Sequence, residues 1–105
     1  MKIPAKKNGE IYFVDVEDIL YISIFQKQIM LYTETDIYYH LRYISEYYEL
    51  TKPFGFEMLD RNNLVQVSKI ARYDPIQKIA FFGDDGKRYC TVSGSNEKFL
   101  NNLKQ

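Results

Sequence analysis

FEMLDRNNLVQVSKI, residues 56–70, places unlike demands side by side. Phe56, Met58 and Leu59 are apolar, Asp60-Arg61-Asn62-Asn63 is a compact polar cluster, and Leu64, Val65 and Val67 return to strand-forming residues before Ile70. Burial of the apolar flanks would anchor the segment at both ends and hold Arg61 and its two asparagines on a short turn with little freedom. Such a turn suits groups that must meet a partner at fixed register. Taken alone, the same composition also fits a plain solvated turn between two strands.

Working outward, the chain on either side reads as short strands. Asn8-Gly9 separates Lys2–Lys7 from Glu10–Val14, and this pair of residues supplies the positive φ angles of a two-residue hairpin turn. Pro4 predicts that the first strand lies at an edge. Asp15–Asp18 reads as one short helical turn. Leu20–Phe25 is too uniformly apolar for a strand with one wet face, so both its faces are expected to be covered. Gln26-Lys27-Gln28 forms the polar tip of a hairpin whose second strand is Ile29–Thr33, and Glu34-Thr35-Asp36 turns the chain into Ile37–Tyr39. Leu41, Ile44 and Tyr48 recur at helical spacing with Tyr43 and Tyr47 beside them, which predicts a mid-chain helix over 41–50 that ends before Pro53. Its tyrosines read as packing groups. Beyond the central stretch, Ala71–Asp74 and Lys78–Phe82 are strands separated by Pro75-Ile76-Gln77, and Gly83-Asp84-Asp85-Gly86 is a tight turn into Lys87–Val92. Ser95 is placed to cap a short C-terminal helix with Glu97 in its first turn and Phe99, Leu100 and Leu103 along its apolar side.

A chain of 105 residues suffices for one domain, 1–105, with a single core and no metal or disulfide staple. Ten tyrosines and seven phenylalanines with no tryptophan favour strands. Cys90 is the one cysteine and has no partner for an internal bridge. With no signal peptide and no apolar run near about 18 residues, it points to a reduced, cytoplasmic protein with no membrane partner. Lys and Arg number 14 against 14 Asp and Glu, which argues against strong nonspecific polyanion binding, since that affinity comes from many basic contacts releasing counterions. Any nucleic-acid face must be local. His40 and Cys90 sit in no catalytic signature, adjacent Asp84 and Asp85 read as a hairpin tip, and no phosphate-binding glycine loop, CxxC or HExxH spacing occurs. One histidine and one cysteine are too few for an ordinary structural zinc site. No enzyme activity, metal or cofactor is expected.

The pattern F-x-x-h-x-R-x-x-L-V-x, followed by a polar pair and Ile70, resembles the central signature of the LytTR domain, the DNA-binding domain of many bacterial response regulators. VEDILYI, residues 16–22, is similar to that domain's early V-x-D-I-x-Y-I segment. YCTVSGSNEKFL, residues 89–100, sits where its closing strand, V-S turn and last helix belong. The resemblance implies a mostly β fold with short strands, one mid-chain helix and a short C-terminal helix. It also implies double-stranded DNA as partner, gripped by loops between strands, with paired direct repeats as the usual site.

Carried over by position, the resemblance assigns Arg61 to the basic position of the central motif, Gln26, Lys27 and Gln28 to the early loop, and Ser93 to the V-S turn. Asn62, Asn63 and Ser95 are nearby polar candidates, and Lys69 and Arg72 are candidates for phosphate. Three places depart from the family's pattern. Asp60 stands where histidine is usual, Gln66 where asparagine is frequent, and Gly94-Ser95 where one or two arginines are usual. Losing a bidentate arginine costs about 1 to 3 kcal/mol of base discrimination, and Asp60 repels nearby phosphate. The sequence holds no receiver domain: as a whole protein its control is expected from expression level, a homodimer or a partner regulator, and as an excised domain from the missing half. A rival expectation is an interaction module of the same fold that modulates another regulator with little DNA affinity.

Overall fold

The structure, a computed structural model, describes residues 1–26, 28–39, 44–83 and 85–100, with Ile44 and Ser45 described through their backbone alone. Strands β1 (Lys2–Lys7) and β2 (Glu10–Asp15) pair as the expected hairpin, and Asn8 (φ 53°) and Gly9 (φ 80°) take the two left-handed positions of its turn. A 3-10 turn, Val16–Asp18, follows, with the Asp15 carboxylate accepting from the Glu17 N–H. Next come β3 (Tyr21–Phe25), β4 (Gln28–Tyr32) and β5 (Ile37–Tyr39). Helix α1 is described over Ile44–Thr51, and the rest of the expected helix, Leu41–Tyr43, lies outside the described residues. A 3-10 turn at Lys52–Phe54 takes Pro53 in its first turn and closes on Gly55. The central stretch then forms β6 (Phe56–Glu57) and β7 (Asn63–Gln66). Strands β8 (Arg72–Asp74), β9 (Ile79–Phe82) and β10 (Arg88–Thr91) complete the described strands.

Among the described residues all the pairings are antiparallel and form two sheets, one of seven strands ordered β2-β1-β5-β4-β3-β7-β6 and one of three ordered β10-β9-β8. Successive side chains of a strand point to opposite faces. Ile22 and Leu31 therefore face α1 and join a core containing Ile3, Val14, Tyr47 and Phe56. Tyr21, one residue earlier, points the other way into a second core with Val65, Tyr73, Phe82 and Cys90, where its ring stacks on Tyr32 (4.3 Å) and Phe82 (5.2 Å). The second sheet thus covers the outer face at β3, and this is why residues 20–22 show no polar alternation. Farther along, Phe25 leaves that cover and is 62% exposed. Tyr47 is fully buried, so it packs as expected.

Two placements differ from the sequence reading. Pro4 is not on an edge strand, because β1 lies between β2 and β5. It is tolerated because β5 is short and meets β1 only at Lys6 opposite Tyr39, leaving the Pro4 stretch unpaired on that side. The C-terminal element is a 3-10 helix, Gly94–Leu100, so Ser95 lies within its first turn and does not cap it. Leu100 enters the second core, Phe99 stays exposed, and Leu103 lies outside the described residues.

Candidate nucleic-acid interface

The turn between β6 and β7 is organised by a buried amide. Asn63 is 4% exposed, and its side-chain oxygen accepts from the backbone N–H groups of Leu59 (3.2 Å) and Asp60 (2.9 Å). Its amide nitrogen donates to the Thr91 carbonyl at 2.9 Å, fastening the turn to β10. Asp60 braces the same corner, accepting from the Arg61 N–H (2.8 Å) and from the Thr91 hydroxyl (2.5 Å). Leu59 is fully buried beneath them. Between these fixed points Arg61 and Asn62 are exposed, and no side-chain hydrogen bond or ion pair holds either one among the described residues.

Two more turns meet this one. The Ile24 N–H donates to the Asn62 carbonyl (2.9 Å), which sets the end of the β3–β4 hairpin beside the turn. Phe25 pairs with Gln28 at the end of this hairpin, Gln26 takes φ 51°, and both glutamines are exposed. Lys27 lies outside the described residues. On the other side the Ser93 N–H donates to the Leu59 carbonyl (2.7 Å). The Asn96 amide reaches the same carbonyl (3.3 Å) and the Ser93 hydroxyl (2.8 Å), and the hydroxyls of Ser93 and Ser95 lie 3.3 Å apart. Gln26, Gln28, Arg61, Asn62, Ser93 and Ser95 therefore stand on turns that share backbone contacts. A groove of about 710 Å³, bordered by Phe25, Met30, Asn62, Lys87 and Tyr89, opens between the sheets beside them.

Three candidates are placed differently. Asn63 is spent inside the protein, as the bonds above show. Lys69 ends a 3-10 turn at the far end of β7 and lines an acidic cleft with Asp15, Glu17, Asp18 and Glu34, surroundings that disfavour phosphate. Arg72 lies on the outward face of the second sheet with its guanidinium 4.0 Å from the centre of the Phe81 ring. No hydrogen bond or ion pair ties either cation to the three turns among the described residues. Gln66 is also internal, donating to the Ile19 carbonyl at 2.8 Å. Asn96 and Thr91 escaped the sequence reading, although Ser-Gly-Ser-Asn is a run rich in side chains that bond local backbone.

The surrounding charges are structural. The Tyr73 hydroxyl donates to Glu97 (2.5 Å) and Lys78 approaches it (3.1 Å), and together they hold its carboxyl below the usual range. Burial, helped by the Glu97 contact, pushes the Tyr73 hydroxyl up to about 12. Burial, with the charge of Asp60 nearby, also pushes the Cys90 thiol up to about 12. No group of three or more His, Cys, Asp or Glu that could hold a metal ion occurs among the described residues, and no described helix is long and apolar enough to cross a membrane.

The arrangement defines a class: a two-sheet antiparallel β protein that carries clustered polar turns on one rim. The family model of the LytTr DNA-binding domain matches residues 9–105, and the chain belongs to that family. Among solved structures, the fold is similar to the LytTr DNA-binding domain of a Bacillus cereus protein described as a methyl-accepting/DNA response regulator. That match has a TM-score of 0.77 and 20% identity over 95% of this chain and 96% of the other. No curated protein matches the chain.

Proposed function

We propose that the chain acts as one sequence-specific DNA-binding unit over residues 1–105 that regulates transcription and reads duplex DNA with loops between strands. The supporting observation is the convergence of three polar turns, coupled through the Leu59 carbonyl and the Asn62 carbonyl. A major groove about 12 Å wide admits a two-stranded ribbon, and the β3–β4 hairpin is such a ribbon. Arg61 supplies the charge for a guanine or a phosphate, and Asn62, Gln26 and Gln28 supply amides that pair with base edges or backbone. Lys27, between the two glutamines in sequence, is the candidate for a second cation. Ser93 and Ser95 offer hydroxyls to phosphate beside them. Asn63 acts indirectly by holding the turn in place, and Gln66 fixes the other end of β7 against the Ile19 carbonyl.

The partner is double-stranded DNA, in paired direct repeats, met in the cytoplasm and without enzymatic chemistry. The rival reading, an interaction module that modulates another regulator, is favoured by the balanced charge and by Gly94 and Ser95 standing where arginines are usual. Selection of bound sequences from a random duplex pool at moderate salt separates the two. A recurring motif whose affinity falls with salt supports the DNA reading. Recovery of no motif, with no retention of any duplex, overturns it.

A further inference from the structure

We infer that the outer edge of β2 is a docking site for an extended segment of a partner protein that carries a basic residue at each end. β2 is the terminal strand of the seven-stranded sheet, and among the described residues no strand and no backbone hydrogen bond reaches its outer edge. A two-residue hairpin turn closes on a hydrogen-bonded pair, here Lys7 opposite Glu10. Counting along the ladder, Ile11, Phe13 and Asp15 turn their N–H and C=O groups away from β1. Natural edges are usually guarded by lysine, proline, a bulge or extreme shortness. β2 has six residues, EIYFVD, in unbroken register with β1, with no lysine, proline or bulge and with its only charges, Glu10 and Asp15, at its two ends. Its side chains Ile11 and Phe13 are 58% and 66% exposed.

Charge selects the occupant. The strand begins with Glu10 and ends with Asp15, and it carries no base. On its inner side it already accepts a strand with a lysine opposite each acid, Lys7 opposite Glu10 and Lys2 opposite Asp15. Those lysines leave the acids incompletely paired. Lys7 is drawn to Asp36, so Glu10 takes only the Tyr12 hydroxyl among the described residues, and Lys2 stays 4.0 Å from Asp15. A second copy pairing through its own β2 would bring the same acids and no base to the seam in any register. A basic-ended segment from another protein supplies what is missing. β2 lies five strand positions from β7, roughly 24 Å at the spacing of paired strands, so the edge stays open while the Arg61 turn is occupied.

The test uses the full chain, labelled with ¹⁵N, and two capped six-residue peptides of alternating threonine and valine, one ended by lysines and one by glutamates. The lysine-ended peptide should shift the amides of Ile11, Phe13 and Asp15 and leave Arg61 and Asn62 unmoved. It should bind about tenfold tighter than the glutamate-ended peptide, because two cross-strand pairs change from attraction to repulsion. Phe13→Pro deletes one outward N–H without touching the β1 ladder and should abolish the shifts. Phe13→Lys, which puts a guarding charge on an exposed position, should do the same and serves if the proline variant does not fold. Equal binding of the two peptides, shifts that map away from β2, or a concentration-dependent dimer that buries the β2 amides would overturn the proposal.

Discussion

Replacing Asn63 by alanine separates a residue that builds the proposed face from one that touches DNA. The substitution strands the Leu59 N–H, the Asp60 N–H and the Thr91 carbonyl, all of which Asn63 pairs. Leu59 is fully buried, so its N–H has no water to turn to, while Asp60 and Thr91 are nearer solvent and partly rescued. One orphaned buried group costs about 1 to 3 kcal/mol, and each wetter pairing about 0.5 to 1.5, so unfolding free energy should fall by about 2 to 4 kcal/mol. Urea unfolding followed by circular dichroism would read this as a lower midpoint at unchanged slope. DNA affinity should fall as well, because the Arg61 turn loses its tie to β10. A stability change below about 0.5 kcal/mol, with affinity lost all the same, would refute the reasoning and turn the Asn63 side chain toward DNA.

Arg61→Ala should lower the salt slope of binding by about 1 if the guanidinium meets phosphate, or cost about 1 to 3 kcal/mol mainly on the preferred site if it reads a base; unchanged titrations with an intact fold would remove it from the face. Gly94 is not at positive φ and has open space where a Cβ would stand. Gly94→Arg should therefore melt like the parent while tightening the selected duplex by about 1 to 3 kcal/mol, and no gain on any duplex would count against DNA readout at this turn. Because the Glu97 pKa is lowered on folding, its stabilisation is present above the ordinary value of 4.5 and lost as pH falls through the folded value; Glu97→Gln should flatten the acid limb of a stability profile. Tyr73 has the opposite sign, its contribution complete below 10.0 and lost as pH rises through about 12, which Tyr73→Phe should remove from the alkaline limb. Cys90, buried with its thiol raised to about 12, should resist alkylation in native protein and react only as the chain unfolds; rapid native labelling would contradict its burial.

Local chemistry made much of the fold legible. Asn8-Gly9 announced its hairpin because both residues accept positive φ, and the doubly apolar run around Ile22 announced a strand between two cores. What escaped reading depends on partners distant in sequence. Pro4 looked like an edge residue, yet the short reach of β5 decides its tolerance, and that is a property of sheet order. Asn63 looked like one of two equivalent asparagines until Thr91, 28 residues on, claimed its amide. Lys69 and Arg72 follow Arg61 closely in the chain, but β7 carries one to an acidic cleft and β8 sets the other over the Phe81 ring of the second sheet. Arg61 and Asn62 were legible as a turn between anchors because Leu59 and Leu64 on either side are so plainly apolar.

The most direct measurement of the central claim is photocrosslinking to the duplex recovered by selection, with the crosslinker placed singly at positions 28, 61, 95 and 13. Gln28, Arg61 and Ser95 stand on the three coupled turns, and Phe13 stands on the opposite edge of the sheet. The account predicts crosslinks from the first three and none from position 13. Crosslinks from position 13 with none from 61 would place DNA on a different surface and contradict it.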